Sequence, residues 1–259
     1  MSRNFELMQN LGKERDMFEA AAAAPAVVAE PPAAKFGPAP IELQPLQLKM
    51  EAAQRDEMFK LVQRVFLMPG AVKGRAVVIA GTESGNGTSW ICARVAEVLA
   101  SQVSGSVCVV DANLRSPGLH KEFGVPNHYG LTDALQVSDP IRRFVTSLSR
   151  PNLWLLSCGA EIDGMHNMLG SDRMRAILPE LQREFDYVLI DAPPMEISDD
   201  AIVLSRCAEG IVLVLKAHSS RRETARKAVR DLEHASVRVV GAVLNRRTFP
   251  VPEAIYRKL

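Results

Sequence analysis

The sequence predicts an α/β fold of three layers, α/β/α, with helices on both faces of a mostly parallel sheet. Three observations lead there. β-branched apolar runs alternate with segments of helical periodicity between residues 76 and 244, which calls for right-handed crossovers and parallel strands. The hydrophobic residues make up 47% of the chain but aromatics only 5%, a balance of Ala, Val, Leu and Ile that suits strands buried on both faces. The polar residues best able to carry chemistry follow strand ends, where open parallel sheets bind ligands.

Taken in order, residues 1–19 carry Phe5, Leu7, Met8, Leu11, Met17 and Phe18 in a weak amphipathic pattern, which reads equally as a short docking helix or a frayed terminus. From Ala20 to Pro45 there are six prolines, at 25, 31, 32, 38, 40 and 45; they forbid a continuous helix and predict a linker. The expected organisation is thus a disordered Ala/Pro-rich arm over 1–46 and a domain over 47–259. A helix is expected from Gln47 to Phe66, with Met58, Leu61, Val62, Val65 and Phe66 on one face, stopped by Pro69-Gly70. Strands follow at Ala76–Gly81, Ser106–Asp111, Leu153–Ser157, Tyr187–Asp191, Ile211–Lys216 and Val237–Leu244. Helices are expected at Ser89–Gln102, at Ser171–Phe185 with Met174, Ile177, Leu178 and Leu181 inward, and at Arg222–His234.

Composition excludes several functions. The formal net charge is +1, which gives no general attraction to nucleic acid or acidic membranes. Cys92, Cys108, Cys158 and Cys207 are far apart in sequence, so no zinc or iron–sulfur site is expected, and buried free thiols suit a reducing, cytoplasmic setting. Arg3, Glu6, Lys13, Glu14 and Arg15 interrupt the N-terminus before an apolar core can form, so no leader is expected. No apolar run reaches the ~18 residues of a spanning helix, so a membrane role is expected to act through a partner.

The chemistry begins at the end of the first strand. Thr82-Glu83-Ser84-Gly85-Asn86-Gly87-Thr88-Ser89 leads from strand to helix. Glycines there let backbone N–H groups converge, and a helix N-terminus adds partial positive charge, which together make a phosphate cradle. Against the pattern GxxxxGK[ST], Thr82 replaces the first glycine, Gly87 is kept, Thr88 replaces the lysine, and Ser89 keeps the magnesium-binding hydroxyl. The second strand ends in Asp111, followed by Asn113 and Arg115. Asp111 reads either as a metal or base carboxylate or as a helix cap, and Arg115 as a phosphate partner or a surface cation. The fourth strand ends in Asp191 after four mostly apolar residues, the arrangement that sets a carboxylate beside a nucleotide's metal. Asn245-Arg246 close the last strand, where an amide can read an adenine edge or simply make a turn. Any one of these is weak; together they share strand ends, in order, across the whole alternating region.

The segments DANLRSPGLHKEFG (Asp111–Gly124), GLTDAL (Gly130–Leu135), FDYVLIDAPP (Phe185–Pro194) and GAVLNR (Gly241–Arg246) resemble those of the bacterial tyrosine kinases of capsule and exopolysaccharide synthesis, in the MinD/ParA-like branch of P-loop NTPases. The resemblance runs from about Glu57 to Arg246. It implies a P-loop NTPase fold, binding of ATP and Mg2+, assembly as a homo-oligomeric ring, and work with a membrane adaptor of polysaccharide chain-length and export machinery. By resemblance Asp111, Arg115 and Asp191 are the catalytic set, and Ser89, Asp111 and Asp191 the metal set. Gly85, Asn86, Gly87, Thr88, Ser89 and Trp90 bind phosphate, and Asn245 and Arg246 lie on the adenine side.

The departures are as informative. Thr88 stands for the lysine and Asn113 for the second aspartate of an Asp-x-Asp pair. Glu57, Lys60 and Gln63 stand where the ring-forming helix of the family has Glu, Arg and Arg. The tail TFPVPEAIYRKL holds one tyrosine, Tyr256. Lys73 and Arg75 precede the first strand, at the wrong end of the sheet to replace the lysine. The expectation is a nucleotide-binding regulator of exopolysaccharide synthesis with weak or lost kinase activity. The alternatives are an active autokinase, a MinD/ParA-like ATPase that positions cargo, and a nucleotide-free interaction module. The basic cluster Arg221, Arg222, Arg226, Lys227 and Arg230 reads as the solvated face of a helix rather than a nucleic-acid site.

Overall fold

Alternation along each strand divides the protein into two apolar layers on either side of a sheet. The computed structural model describes residues 52–67, 75–161 and 164–247. The elements in order are α1 (Ala52–Val65), β1 (Arg75–Gly81), α2 (Thr88–Gln102), β2 (Val107–Asp111), α3 (Leu119–Phe123), α4 (Leu131–Gln136), β3 (Thr146–Ser147), β4 (Leu153–Leu156), α5 (Asp172–Glu184), β5 (Tyr187–Ala192), α6 (Asp200–Ser205), β6 (Ile211–Lys216), α7 (Arg222–His234) and β7 (Val239–Asn245), with 3₁₀ turns at Ile141–Arg143 and Met165–Gly170. The strands order as β3-β4-β2-β5-β1-β6-β7. All pairings are parallel except β3 with β4.

In β1, Val77 and Ile79 join α1 and α2 in one core, with Val62, Ile91 and Leu99. Ala76, Val78 and Ala80 join α4, α5 and α6 in the other, with Leu131, Ile177 and Leu204. This is the expected three-layer α/β/α arrangement with a mostly parallel sheet. Of the face expected on the first helix, Met58, Val62, Val65 and Phe66 are buried and Leu61 is half-buried. Met174, Ile177, Leu178 and Leu181 of α5 are all buried. Ser171, expected as the first residue of that helix, is its cap: its hydroxyl accepts the Met174 N–H at 3.2 Å. Pro179 lies inside α5 but on its exposed side, where a helix tolerates a missing bond by bending toward solvent.

The differences from expectation are local. The sheet has seven strands, not six; the added β3 is two residues long, too short to leave a period in the sequence. The short helices α3, α4 and α6, of five or six residues, escape for the same reason. The last strand begins at Val239 and reaches Asn245, and α2 begins at Thr88. Arg75 opens β1 and its Nε donates to Glu209 at 2.6 Å, so this cation is committed to the far end of the sheet. The arm 1–46, Pro69-Gly70, Lys73 and Tyr256 lie outside the described residues.

Leu181 is fully buried between α5 and the sheet. Leu181→Ala is expected to lower unfolding free energy by about 2–5 kcal/mol, read from urea denaturation; a loss near zero would show that this layer is not packed as described.

Candidate functional site

At the carboxyl end of the sheet, the residue pairing of β2 with β5 sets Asp111 directly beside Asp191. Both follow strand positions that face α2, as Val109 and Leu189 do, and both are fully buried. Their surroundings differ. Asp111 accepts backbone N–H groups from Leu119 at 2.9 Å and Gly118 at 3.0 Å, and from Asn113 at 3.3 Å. It thereby caps the start of α3, the bland reading of this residue, while remaining at the site. Asp191 accepts no backbone N–H and has only the Ser89 hydroxyl near it, outside good hydrogen-bond geometry, and the buried Asn113 Oδ1 has no partner either.

Burial pushes the Asp111 carboxyl up to about 6, against the three N–H bonds and Lys121, which favour its charge. Asp191 is raised well above the usual carboxylate range, by burial first and by the neighbouring Asp111 second; the Ser89 hydroxyl pulls the other way. Two buried carboxylates side by side, one of them bare, leave acceptor capacity and charge that a cation satisfies.

The glycine-bearing loop after β1 stands next to this pair. Gly85 and Gly87 have φ of 75° and 82°, conformations that side chains rarely take. Gly87 is also crowded: a Cβ there would lie 2.5 Å from Asn245 Nδ2. Asn86 is buried, and its amide donates to Thr82 Oγ1 at 3.1 Å and to the Val214 carbonyl at 2.8 Å. Asn245 Nδ2 donates to the Asn86 carbonyl at 2.8 Å. The Ser84 N–H reaches Glu196 Oε2 at 3.4 Å. The Gly87 carbonyl accepts the Ile91 N–H at 3.0 Å and starts α2. Ser89, one residue into that helix, touches the loop that follows β2: a Cβ at Gly118 would lie 2.8 Å from its Oγ. Only a glycine at 118 lets α3 approach so closely.

The residues marked by the sequence therefore meet in part. Ser89, Asp111, Asp191 and the backbone of Gly85–Thr88 share one strand edge. The Asn86 and Asn245 side chains brace the loop. The Thr88 hydroxyl packs beside Gly81, 2.8 Å from where a Cβ on that glycine would stand. Trp90 turns to the flank of α2, with the Arg94 guanidinium 5.1 Å from its ring centre. Arg115 and Arg246 are exposed. The sequence reading gave no role to Gly118, whose only signal is a glycine after Pro117, or to Val214 and Ser220, and it marked Thr82 only as a replaced glycine; Thr82, Val214 and Ser220 hold Asn86 through contacts no local pattern encodes.

Magnesium fits this donor set. It takes oxygen ligands, keeps several waters, and uses one or two carboxylates with phosphates rather than an all-protein cage. No cluster of three or more His, Cys, Asp or Glu side chains suited to a metal occurs among the described residues. Asp191 and Ser89 are the open donors, and Asp111 stands behind them.

An acid held protonated in the fold at a pH where the unfolded chain ionises makes stability fall as pH rises. The metal-free protein is expected to lose stability from about pH 4 to about pH 6 through Asp111, and to go on losing it through Asp191. Urea unfolding at about pH 5 and about pH 8 should show a smaller loss in Asp191→Asn than in the native chain. An equal loss would mean that Asp191 does not carry the strained charge.

Comparison with known proteins places this arrangement. No family model matches the chain. It is 28% identical over 172 residues to the putative tyrosine-protein kinase CapB of Staphylococcus aureus, covering 66% of this chain and 75% of that protein. It is 30% identical over 171 residues to the tyrosine-protein kinase YwqD of Bacillus subtilis, covering 66% and 72%. The tyrosine-protein kinase Etk of Escherichia coli is 28% identical over 169 residues, only 23% of its own length. In fold, the chimeric protein CapA2B2 superposes with a TM-score of 0.71 at 22% identity, over 77% of this chain and 87% of that one. The kinase domain of Etk superposes at 0.67 and 23%, over 76% and 79%. A ParA family ATPase from Chlorobium tepidum superposes at 0.57 and 18%, over 67% and 74%. The fold is that of the P-loop NTPases, and the chain belongs to the bacterial tyrosine-protein kinase family.

Proposed function

We propose that this chain binds ATP with magnesium and regulates exopolysaccharide or capsule synthesis, with nucleotide as a structural or switching ligand and only slight autophosphorylation on tyrosine. The observation that supports this reading is the pairing, at one strand edge, of a bare buried carboxylate at Asp191 with a phosphate loop whose lysine position is Thr88. Bound nucleotide brings the transferable phosphoryl group, and its magnesium brings charge neutralisation. The chain's own parts are then assigned as follows. The N–H groups of Gly85 to Ser89 and the start of α2 bind phosphate oxygens. Ser89 and Asp191 hold the metal, with Asp111 behind them. Asn245 and Arg246 flank the adenine side, and Arg115 is an exposed cation at the rim.

A charge-assisted hydrogen bond contributes about 1.5–3 kcal/mol, and loss of a transition-state donor costs roughly 10²–10³ in rate. Thr88 carries no charge, and Asn113 cannot act as a base. Binding survives these changes better than transfer does. The partners proposed are a membrane adaptor of the polysaccharide chain-length or export machinery and further copies of this chain, on the cytoplasmic side and without nucleic acid. No helix among the described residues is long and apolar enough to cross a membrane, which fits recruitment through such an adaptor.

Calorimetry should show magnesium-dependent ATP binding that Asp191→Ala weakens at least about tenfold, the range of one charge-assisted contact. Labelling of the native chain from radioactive ATP should be faint, and Thr88→Lys should raise it. Strong labelling of the native chain, unchanged by Thr88→Lys, would establish an active autokinase instead. No ATP binding at all would favour an interaction module.

A further inference from the structure

We propose that Lys216, on the strand beside the phosphate loop, supplies the positive charge the loop lacks at Thr88 and binds the phosphate chain of a nucleoside di- or triphosphate. This rests on the nucleotide-binding reading above. In β6, Val212 and Val214 lie in the core shared with α2, and Ile211 and Leu213 in the opposite one. Two residues beyond Val214, Lys216 returns to the α2 face. Its register partner is Asn245, and paired residues on neighbouring strands project on the same side of the sheet. Asn245 shows what lies on that side: its amide donates to the Asn86 carbonyl at 2.8 Å and abuts Gly87.

The other flank of β6 is the loop itself. Gly81, the last residue of β1, pairs with Val214. The Thr82 N–H and the Asn86 amide then donate to the Val214 carbonyl at 3.2 and 2.8 Å. The Lys216 N–H is fixed by Ser220 Oγ at 3.0 Å, and the same hydroxyl lies 3.4 Å from Asn86 Oδ1. Lys216 therefore leaves its strand about 6.6 Å past the point where the loop is pinned, between that loop and Asn245.

Charge and burial separate Lys216 from the other cations at this end of the sheet. Arg115, Arg221, Arg222 and Arg246 are exposed, whereas Lys216 is half-buried. Its ammonium makes no hydrogen bond or ion pair among the described residues. A half-buried lysine stem that carries an unpaired ammonium beside the loop is placed to meet an anion. On the opposite flank of the loop, Asp111 and Asp191 call for a cation. A phosphate chain carrying magnesium answers both, with the metal toward the carboxylates and free oxygens toward Lys216.

The test is calorimetry on the full chain with MgATP, MgADP and adenosine, using Lys216→Met, Lys216→Arg and the double variant Lys216→Met with Thr88→Lys. Lys216→Met should weaken MgATP and MgADP about ten- to a hundredfold and leave adenosine unchanged. Lys216→Arg should retain most of the affinity, and Thr88→Lys should restore a large part of what Lys216→Met removes. Thermal midpoints are compared alongside; where Lys216→Met lowers the midpoint, Lys216→Gln takes its place against Lys216→Arg. Unchanged MgATP affinity in Lys216→Met, or an equal loss for adenosine, overturns the proposal while nucleotide binding stands. A native chain that binds neither MgATP nor MgADP overturns the nucleotide reading, and this proposal with it.

Discussion

The rest of the site depends on one electrostatic constraint: two carboxylates buried side by side at the ends of adjacent strands. Parallel pairing puts Asp111 next to Asp191 in register, and the alternation of the pleat turns both toward α2. The sheet can keep such a pair only by dividing the work. Asp111 is satisfied from its own chain by the N–H groups of Gly118 and Leu119, so the carboxylate that organises the site also fixes α3. Asp191 is left with only the nearby Ser89 hydroxyl. Buried acceptors thus outnumber donors at this end of the sheet.

The glycine-bearing loop after β1 answers a different demand. A loop that keeps its backbone N–H groups free for a ligand must be held in shape by other bonds. Here side-chain amides do it. Asn86 ties the loop to its own first residue, Thr82, and to β6, and Asn245 ties it to β7. Each bond contributes about 1 kcal/mol net, but together they fix a backbone that would otherwise lose its arrangement to conformational entropy. A loop braced in this way does not depend on its missing lysine for shape. Thr88 is therefore not among the residues that hold the loop in shape.

The same division explains the packing around Ser89. Gly118 lets the start of α3 press against the first turn of α2, and Arg94 of α2 reaches Glu122 of α3 at 3.2 Å. Helix, cap and carboxylate form one connected piece. In the other layer, α5 and α6 cover the sheet with ordinary apolar contacts and leave the strand ends open.

The sequence by itself determined the fold class, the order of the long strands and helices, and the strand-end positions of Ser89, Asp111, Asp191 and Asn245. It could do so because those features are periodic or local: burial on two faces writes β-branched runs, and a strand followed by a glycine-bearing turn writes a loop. What only the tertiary structure decided was who touches whom. The split roles of Asp111 and Asp191, the tie of Asn86 to Val214, the approach of Gly118 to Ser89 and the flank on which Lys216 stands all join residues far apart in the chain. The short β3, α3, α4 and α6 belong to the same class, since a few residues carry no period. Such contacts are set by strand order and register, which emerge from packing the whole sheet and have no signature in any single segment.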